Sequence, residues 1–500
     1  MDGVIDIVCS KKLTYEQKIM QLASLAENSI EPIALSDIES EFISKKIICT
    51  MFEGNAPYRP RYICPDYEKL FKKGCSFLEL SAPSDIWEAI SNLLIFYKHV
   101  PSITSMPVYM GDLDSLLDPF IKSKEEGYRA VKIFLKQIDK TFTDSFCHAN
   151  IGPKNTLAGE LILNAAYELN LPTPNLTLKY SDETSDDFAI KCLLTAMKTA
   201  KPSFANDAVY KKEFGGNYAI ASCYNGLPFG GGSYTLVRSI LPNLAKESTS
   251  ISDFLYRLLP LLVKNQISII EKRIRFIVEK CGFFETNFLV VEDFINLDKF
   301  TAMFGIVGLA ECVNYLYKLE GKTLRFGHDD EADNLGLKII DRLNKLINEY
   351  DLPYCKISKG KALLHAQVGL ADDKGVSPGC RIPIGEEPEL CEHVIKSAKF
   401  HKYFQSGIGD IFVFDDGYKN NPEALLDILK GSFSQNMRYF SLYGTDTDVV
   451  RVSGYLVKKS EMAKLDKNQT VLRDTTALGL GQRDNLKSLN RRIITGSNLR

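Results

Sequence analysis

Arg451-Val452-Ser453-Gly454-Tyr455 is the stretch on which the reading of this chain turns. Taken alone it is a turn glycine after the end of a Val449-Val450 strand, where the missing side chain lets the backbone bend. A second glycine-bearing stretch lies far upstream. Ala221-Ser222-Cys223-Tyr224-Asn225-Gly226 runs into Leu227-Pro228-Phe229-Gly230-Gly231-Gly232-Ser233. Flanking glycines let such a segment turn sharply and enter a packed interior without side-chain clashes. Cys223 and Gly454 are 231 residues apart in the sequence, so they belong to different loops that must meet in space if they act together.

R-V-x-G-Y resembles the radical-bearing loop of the glycyl radical enzymes, and the Cys223 stretch resembles their cysteine loop. Further segments extend the likeness in the same order along the chain. Leu171-Pro172-Thr173-Pro174-Asn175-Leu176-Thr177-Leu178-Lys179-Tyr180 resembles the strand before the cysteine loop. Lys201-Pro202-Ser203-Phe204-Ala205-Asn206-Asp207 resembles a K-P-S-F-x-N-D stretch, and Phe304-Gly305-Ile306-Val307-Gly308-Leu309-Ala310-Glu311-Cys312 resembles a segment that opens a helix. The N-terminal third narrows the likeness to the YjjI family. It does so through Ile47-Ile48-Cys49, Glu53-Gly54-Asn55-Ala56-Pro57, Pro60-Arg61-Tyr62 and His99-Val100-Pro101-Ser102-Ile103-Thr104-Ser105-Met106-Pro107-Val108-Tyr109.

The resemblance implies a radical stored on Gly454 and relayed by a thiyl on Cys223. An α-carbon radical is flattened and is stabilised by the flanking amide nitrogen and carbonyl, which only glycine accommodates. A thiol suits the relay because its S–H bond is weak enough to give hydrogen to the glycyl radical, and the thiyl then takes hydrogen from an activated C–H. The resemblance further implies no bound cofactor. The radical is installed as a modification by a separate S-adenosylmethionine-dependent activating enzyme, and the chemistry is anaerobic and oxygen-sensitive. It also implies an α/β fold: a ten-stranded barrel of two antiparallel five-stranded half-barrels wrapped by helices, with the Cys and Gly loops meeting inside. Residues 1–400 are expected to form the barrel with the cysteine loop and 401–500 the glycyl radical region. Most of the other eleven cysteines read as buried, inert thiols.

The neighbours of Cys223 bear on reaction type. Dehydratases and many lyases of the superfamily carry a glutamate two positions after the cysteine, where this chain has Asn225. Acyl-transferring members carry two adjacent cysteines, where this chain has Ser222. Ser222 and Asn225 are therefore read as pocket residues for a small-molecule substrate whose identity the family does not supply. His148, Asp207, Glu311 and His328 are candidate acid/base groups, each read first as structural, and Cys312 is the second candidate for the relay. An anaerobic ribonucleotide reductase is the main alternative. Those enzymes typically read R-V-C-G-Y where this chain has Ser453, and carry a four-cysteine zinc site not visible here. A catalytically silent binding relative is the third class, and the presence of both Cys223 and Gly454 speaks against it.

Composition bounds the rest. A chain of 500 residues suggests about three domains, though single large barrels reach this size. Hydrophobic residues make up 45% and charged residues 25%, and the net charge of −2 asks for neither nucleic acid nor a membrane surface. No apolar run is of membrane-spanning length, and Lys11 and Lys12 follow the first apolar stretch instead of preceding it, unlike a signal peptide. The chain is thus read as cytoplasmic with reduced thiols, self-association into a homodimer being left open. Cys380, Cys391 and His393 fit no standard zinc spacing, so no metal is expected there. Gly230–Gly232 lacks the residues of a phosphate loop and reads as a loop tip inside the barrel.

Helical periodicity is expected at 13–30, 36–48, 84–98, 154–169, 186–199 and 330–350, with a long helical stretch over 249–282 interrupted at Pro260. Strands are expected at Leu176–Tyr180 and at Ile411–Phe414. The residues after Gly454 carry ten Lys or Arg against four Asp or Glu and read as a solvated surface segment. Alternatively, this piece detaches to expose Gly454 to the activating enzyme.

Overall fold

The computed structural model describes residues 2–49, 58–101, 107–142, 146–367, 375–452 and 454–496. Parts of two quoted motifs, residues 53–57 and 102–106, and also Ser453, lie outside the described residues.

The described residues form fourteen strands. In chain order they are β1 (Tyr62–Cys64), β2 (His148–Ile151), β3 (Asn175–Tyr180), β4 (Ser203–Asn206), β5 (Tyr218–Ala221), β6 (Asn225–Pro228) and β7 (Gly231–Ile240). They continue with β8 (Phe300–Val307), β9 (Leu363–Ala366), β10 (Asp410–Phe414), β11 (Tyr439–Gly444), β12 (Val449–Val452), β13 (Tyr455–Lys458) and β14 (Ile493–Ile494). One sheet has the order β1-β7-β8-β9 and another β14-β10-β11-β4-β3-β2. Within the first, β7, β8 and β9 run parallel and β1 is antiparallel to β7. Within the second, β2, β3 and β4 run parallel, as do β11, β10 and β14, and the two groups meet antiparallel at β4/β11. Two more contacts extend the sheets. Residues 110–112 run beside β2, with Met110 N–H on the His148 carbonyl (2.9 Å) and Asn150 N–H on the Gly111 carbonyl (3.0 Å). Ala366 N–H, at the end of β9, donates to the Gly407 carbonyl just before β10 (2.9 Å).

These strands are short and buried almost end to end, as parallel strands covered on both faces require. The covering helices follow the expected periodicity and end at chemically explicable caps. Ser36 closes a capping box with Glu39 ahead of the helix Asp37–Ser44. Asp85 accepts from Trp87 N–H and Glu88 N–H at the start of Ile86–Lys98. The helix Asp330–Ile347 lays Leu335, Ile339, Ile340, Leu343, Leu346 and Ile347 on its buried face. No described helix is long and apolar enough to cross a membrane.

Three expectations are corrected. Pro260 does not interrupt the helix. It sits in the first turn of Leu259–Arg275, directly after a π-turn at Phe254–Leu258 whose wider i→i+5 ring spares the bond a proline cannot make. Gly231 and Gly232 are not a loop tip but the start of β7. A Cβ there would lie 2.0 Å from the Lys299 carbonyl oxygen on one side and 2.0 Å from that of Tyr62 on the other, so neighbouring backbone leaves no room for a side chain.

The segment after Gly454 is not simply solvated. Tyr455, Leu456 and Val457 are fully buried, and the helix Thr475–Leu486 packs on β13, where Gly479 abuts Val457. Its described arginines are engaged. Arg473 pairs with Asp139 and Glu461, and buried Arg491 lies 3.7 Å from Glu387. Gln17, on the helix Tyr15–Glu27, donates to the carbonyls of Val471 and Leu472 (3.1 and 3.2 Å).

Candidate active site

β5 and β6 form an antiparallel hairpin with Ala221 opposite Asn225, which leaves Ser222, Cys223 and Tyr224 as its tip. Every residue of the tip is buried. Ser222 adopts the left-handed conformation (φ 60°), which costs a non-glycine residue about 1–3 kcal/mol unless its surroundings hold it. They do. Ser222 N–H donates to the Val108 carbonyl (2.9 Å), and its carbonyl accepts from His148 Nδ1 (2.8 Å) and Asn175 Nδ2 (3.3 Å). Asn150 exchanges both its amide bonds with the Ile220 backbone, the Tyr439 hydroxyl donates to the Cys223 carbonyl (2.6 Å), and the Tyr224 hydroxyl donates to the Ala366 carbonyl (2.5 Å). One sheet thus grips the hairpin tip through its main chain, and β9 of the other accepts from its Tyr224 hydroxyl.

Burial pushes the Cys223 thiol above its usual range, against the opposing pull of the Tyr224 N–H, Arg381, Arg451 and the Ser222 hydroxyl. The group is therefore an S–H at neutral pH, suited to giving up a hydrogen atom and not to acting as a thiolate nucleophile. It donates to Asn225 Oδ1 at 3.9 Å. His148 is held neutral, its pKa lowered to about 3 by burial, so with Nδ1–H on the Ser222 carbonyl its Nε2 accepts from the Thr177 hydroxyl (2.8 Å).

Gly454 lies in a second hairpin. Val452 pairs with Tyr455, so Gly454 is in the two-residue turn between β12 and β13, and it is buried. The Arg451 side chain, also buried, donates through Nε to the Ala200 carbonyl and through Nη2 to Asn175 Oδ1, each at 2.9 Å. Asn175 in turn donates to the Ser222 carbonyl. One side chain therefore joins the arginine of the R-V-x-G-Y stretch to the residue preceding Cys223.

The other candidates fall elsewhere. Asp207 accepts from the Tyr218 hydroxyl (2.7 Å) and pairs with Lys211 (2.7 Å). Glu311 accepts from the N–H and hydroxyl of Ser377, and His328 is exposed. Cys312 is buried in the large hydrophobic core, while Cys223 clusters with Tyr210, Tyr218, Tyr224 and Tyr439. His393 faces Asp410 (3.3 Å) and Cys391 is exposed. Among the described residues no group of three or more His, Cys, Asp or Glu side chains could hold a metal ion. Sequence reasoning missed Tyr439, which lies in none of the quoted motifs. It also missed Arg381, whose guanidinium carbon stands 5.8 Å from the Tyr224 ring centre. Asn175 was quoted only as part of a strand.

The family model described as glycyl radical enzyme YjjI-like matches residues 13–494. The chain belongs to the YjjI-like glycyl radical enzymes. A protein of Haemophilus influenzae strain Rd is 46% identical over 488 residues, covering 96% of this chain and 95% of its own length. The YjjI protein of Escherichia coli K12 is 41% identical over 462 residues, covering 92% and 89%. Among solved structures, the glycerol-bound B12-independent glycerol dehydratase from Clostridium butyricum superposes with a TM-score of 0.69 at 11% identity, covering 99% of this chain and 88% of that one. The anaerobic ribonucleotide reductase from Thermotoga maritima with glycerol in its active site gives 0.63 at 13% identity, covering 86% and 85%. At such identities these likenesses establish the glycyl radical enzyme fold for this family member and leave its reaction open.

Proposed function

We propose that this protein is an active glycyl radical enzyme in which Gly454 stores the radical and Cys223 relays it to a small-molecule substrate. The observation that carries the reading is the chain of hydrogen bonds from Arg451 through Asn175 to the Ser222 carbonyl, which ties strand β12, leading into the Gly454 turn, to the tip that bears Cys223. Hydrogen transfer requires near-contact of donor and acceptor, and a shared frame that fixes both hairpins supports this reading. We further infer that β1, residues 110–112, β2, β3 and β4 form one five-stranded half of a closed barrel. β11, β10, β9, β8 and β7 form the other half, with both hairpins inside. Residues 401–500 then serve as the radical-bearing region, while also contributing β10 and β11 to the wall.

The cycle balances as follows. The Gly454 α-carbon radical takes the hydrogen of Cys223 Sγ, forming C–H and leaving a thiyl. The thiyl takes hydrogen from a substrate carbon, forming S–H and leaving a substrate radical. After rearrangement the product radical recovers that hydrogen from Cys223, and the thiyl returns the spin to Gly454. Ser222 and Asn225 border the substrate. The first Gly454 hydrogen is removed by a separate radical S-adenosylmethionine enzyme in the cytoplasm under anaerobic conditions.

Anaerobic activation is expected to give an electron paramagnetic resonance doublet that Gly454→Ala abolishes. Subsequent air exposure is expected to cut the chain between Ser453 and Gly454. An activated, functional protein with neither signal nor scission would falsify the assignment.

A further inference from the structure

Two buried hydrogen-bond donors beside Cys223 have no acceptor among the described residues. Asn225 is 1% exposed, and its Nδ2 is unpartnered although its Oδ1 faces the thiol. Arg381 is 5% exposed. Its Nε donates to the Gly409 carbonyl (2.7 Å), and its Nη1 is unpartnered. The guanidinium stands over the ring of Tyr224, the residue between Cys223 and Asn225. An unsatisfied buried donor costs about 1–3 kcal/mol, more when charged, so such groups are kept where something else satisfies them.

The charge around the thiol decides what that something is. Arg381 and Arg451 both act on Cys223 as positive charges. Among the described residues Arg381 is paired with Asp410, 3.9 Å from Nε, an acid shared with His393. His148 and His365 are kept neutral by burial. Basic residues also line a cleft that reaches the hairpin's surroundings through Arg438 and Tyr210. This cleft of about 1060 Å³ is lined by Lys212, Lys359, Lys361, Lys399, Lys402 and Arg438, among others. Only some of this charge is balanced, Lys361 by Asp351 and Arg438 by Glu213. Arg438 stacks on Tyr210 (5.4 Å), whose ring would meet a Cβ at Gly226 of the hairpin at 2.5 Å. A basic cleft at that position concentrates anions near the hairpin.

Resting on the reading of Cys223 as the relay, we propose that the substrate is a small carboxylate, gripped by Arg381 Nη1 and Asn225 Nδ2 so that a neighbouring C–H faces the Cys223 sulfur. Two N–H donors match the two oxygens of one carboxylate, and a guanidinium adds the charge. A neutral diol would offer Arg381 Nη1 an acceptor without a charge. The substitution of Asn225 for the glutamate of the superfamily's dehydratases fits this assignment, because a carboxylate at that position would repel an acidic substrate.

The test needs no radical, so it fails independently of the assignment of Gly454 and Cys223. The unactivated full-length protein is titrated with short 2-hydroxy and 2-oxo carboxylates, lactate and pyruvate among them, and in parallel with lactamide and propane-1,2-diol. Binding is read by calorimetry and by the shift in melting temperature. The acids are expected to bind and the neutral analogues to bind at least tenfold more weakly. Arg381→Gln is expected to weaken the acids roughly ten- to hundredfold, with Arg381→Lys in between. Should Arg381→Gln fail to fold, Asn225→Asp serves instead, and is expected to abolish acid binding by like-charge repulsion. Equal binding of lactate and lactamide, undiminished binding in the folded variants, or no binding of any acid to the wild type would each overturn the proposal.

Discussion

The Tyr439 hydroxyl donates to the Cys223 carbonyl at 2.6 Å, across 216 residues of sequence. Tyr439 opens β11, the strand that meets β4 antiparallel. The position of the thiol is thereby referred to the seam between the two halves of a sheet and not to the flexibility of its own loop. The tip is held through its main chain at Ser222 and Cys223 and through the Tyr224 hydroxyl, so these bonds to the fold leave the Cys223 side chain out.

If Cys223 relays the radical, hydrogen passes reversibly between its sulfur and the Gly454 α-carbon. In D₂O the thiol carries deuterium, so each round trip can leave deuterium on the glycine. The proton-split doublet of the activated enzyme is therefore expected to collapse to a singlet in D₂O without any substrate. Cys223→Ala is expected to keep the doublet, and Cys312→Ala to behave as wild type. Collapse that persists in Cys223→Ala would assign the relay elsewhere.

Arg451→Lys removes a planar fork that serves two acceptors at once, the Ala200 carbonyl and Asn175 Oδ1. An ammonium on a flexible stem cannot reproduce both bonds in a fully buried place. We expect a loss of about 2–4 kcal/mol in urea unfolding, and faster amide exchange over Val449–Lys458. Unchanged exchange in that hairpin would show that Arg451 does not anchor it.

His148, His365 and His401 are all pushed down by burial, to about 3, about 4 and about 3. Unfolded imidazoles take up protons near pH 6.5. Between that value and about 3–4 the unfolded chain binds more protons than the folded one, so stability falls as the pH falls through this window. Each histidine contributes up to about 1.4 kcal/mol per pH unit. Urea midpoints at about pH 7 and about pH 5 are expected to separate in the wild type and to draw closer in His148→Gln. Parallel pH profiles for both proteins would count against a buried neutral His148.

Gly479 faces Val457 of the radical hairpin, with Cγ1 2.6 Å from where a Cβ would stand. Gly479→Val must push the helix Thr475–Leu486 off β13. The expected cost is about 1–3 kcal/mol, together with faster radical installation if Gly454 is the radical site, because the packing against its hairpin opens more often. Activation kinetics followed by the growth of the radical signal would read this directly. Slower or unchanged installation, with lowered stability, would separate the cover from access.

Much of the frame was legible in the sequence. The helix Asp186–Thr199 and the strand Asn175–Tyr180 follow from local periodicity, because that signal acts over a few residues. The pentapeptide around Gly454 and the Cys223 stretch were legible as loops, but not that both are tips of buried hairpins. Arg381 was invisible because its meaning lies in Tyr224 and Gly409, contacts that no local pattern encodes. The C-terminal arginines misled for a related reason. Arg473 looks solvated in its own polar neighbourhood, yet finds Asp139 more than three hundred residues away. Pro260 misled because a proline breaks an α-helix, while the preceding π-turn had already shifted the register.

The turn at Gly454 is closed by pairing on both sides, β12 against β13, and the chain beyond it is fastened again at β14 on β10 and at Arg473 on Asp139. Oxygen damage at the turn would sever covalent continuity without removing any of these attachments. The last 47 residues, 454–500, would stay seated as a second polypeptide. Spent enzyme would thus elute at its original size from a native gel-filtration column and part into two pieces only in detergent, an inactive heterodimer made from a single gene product.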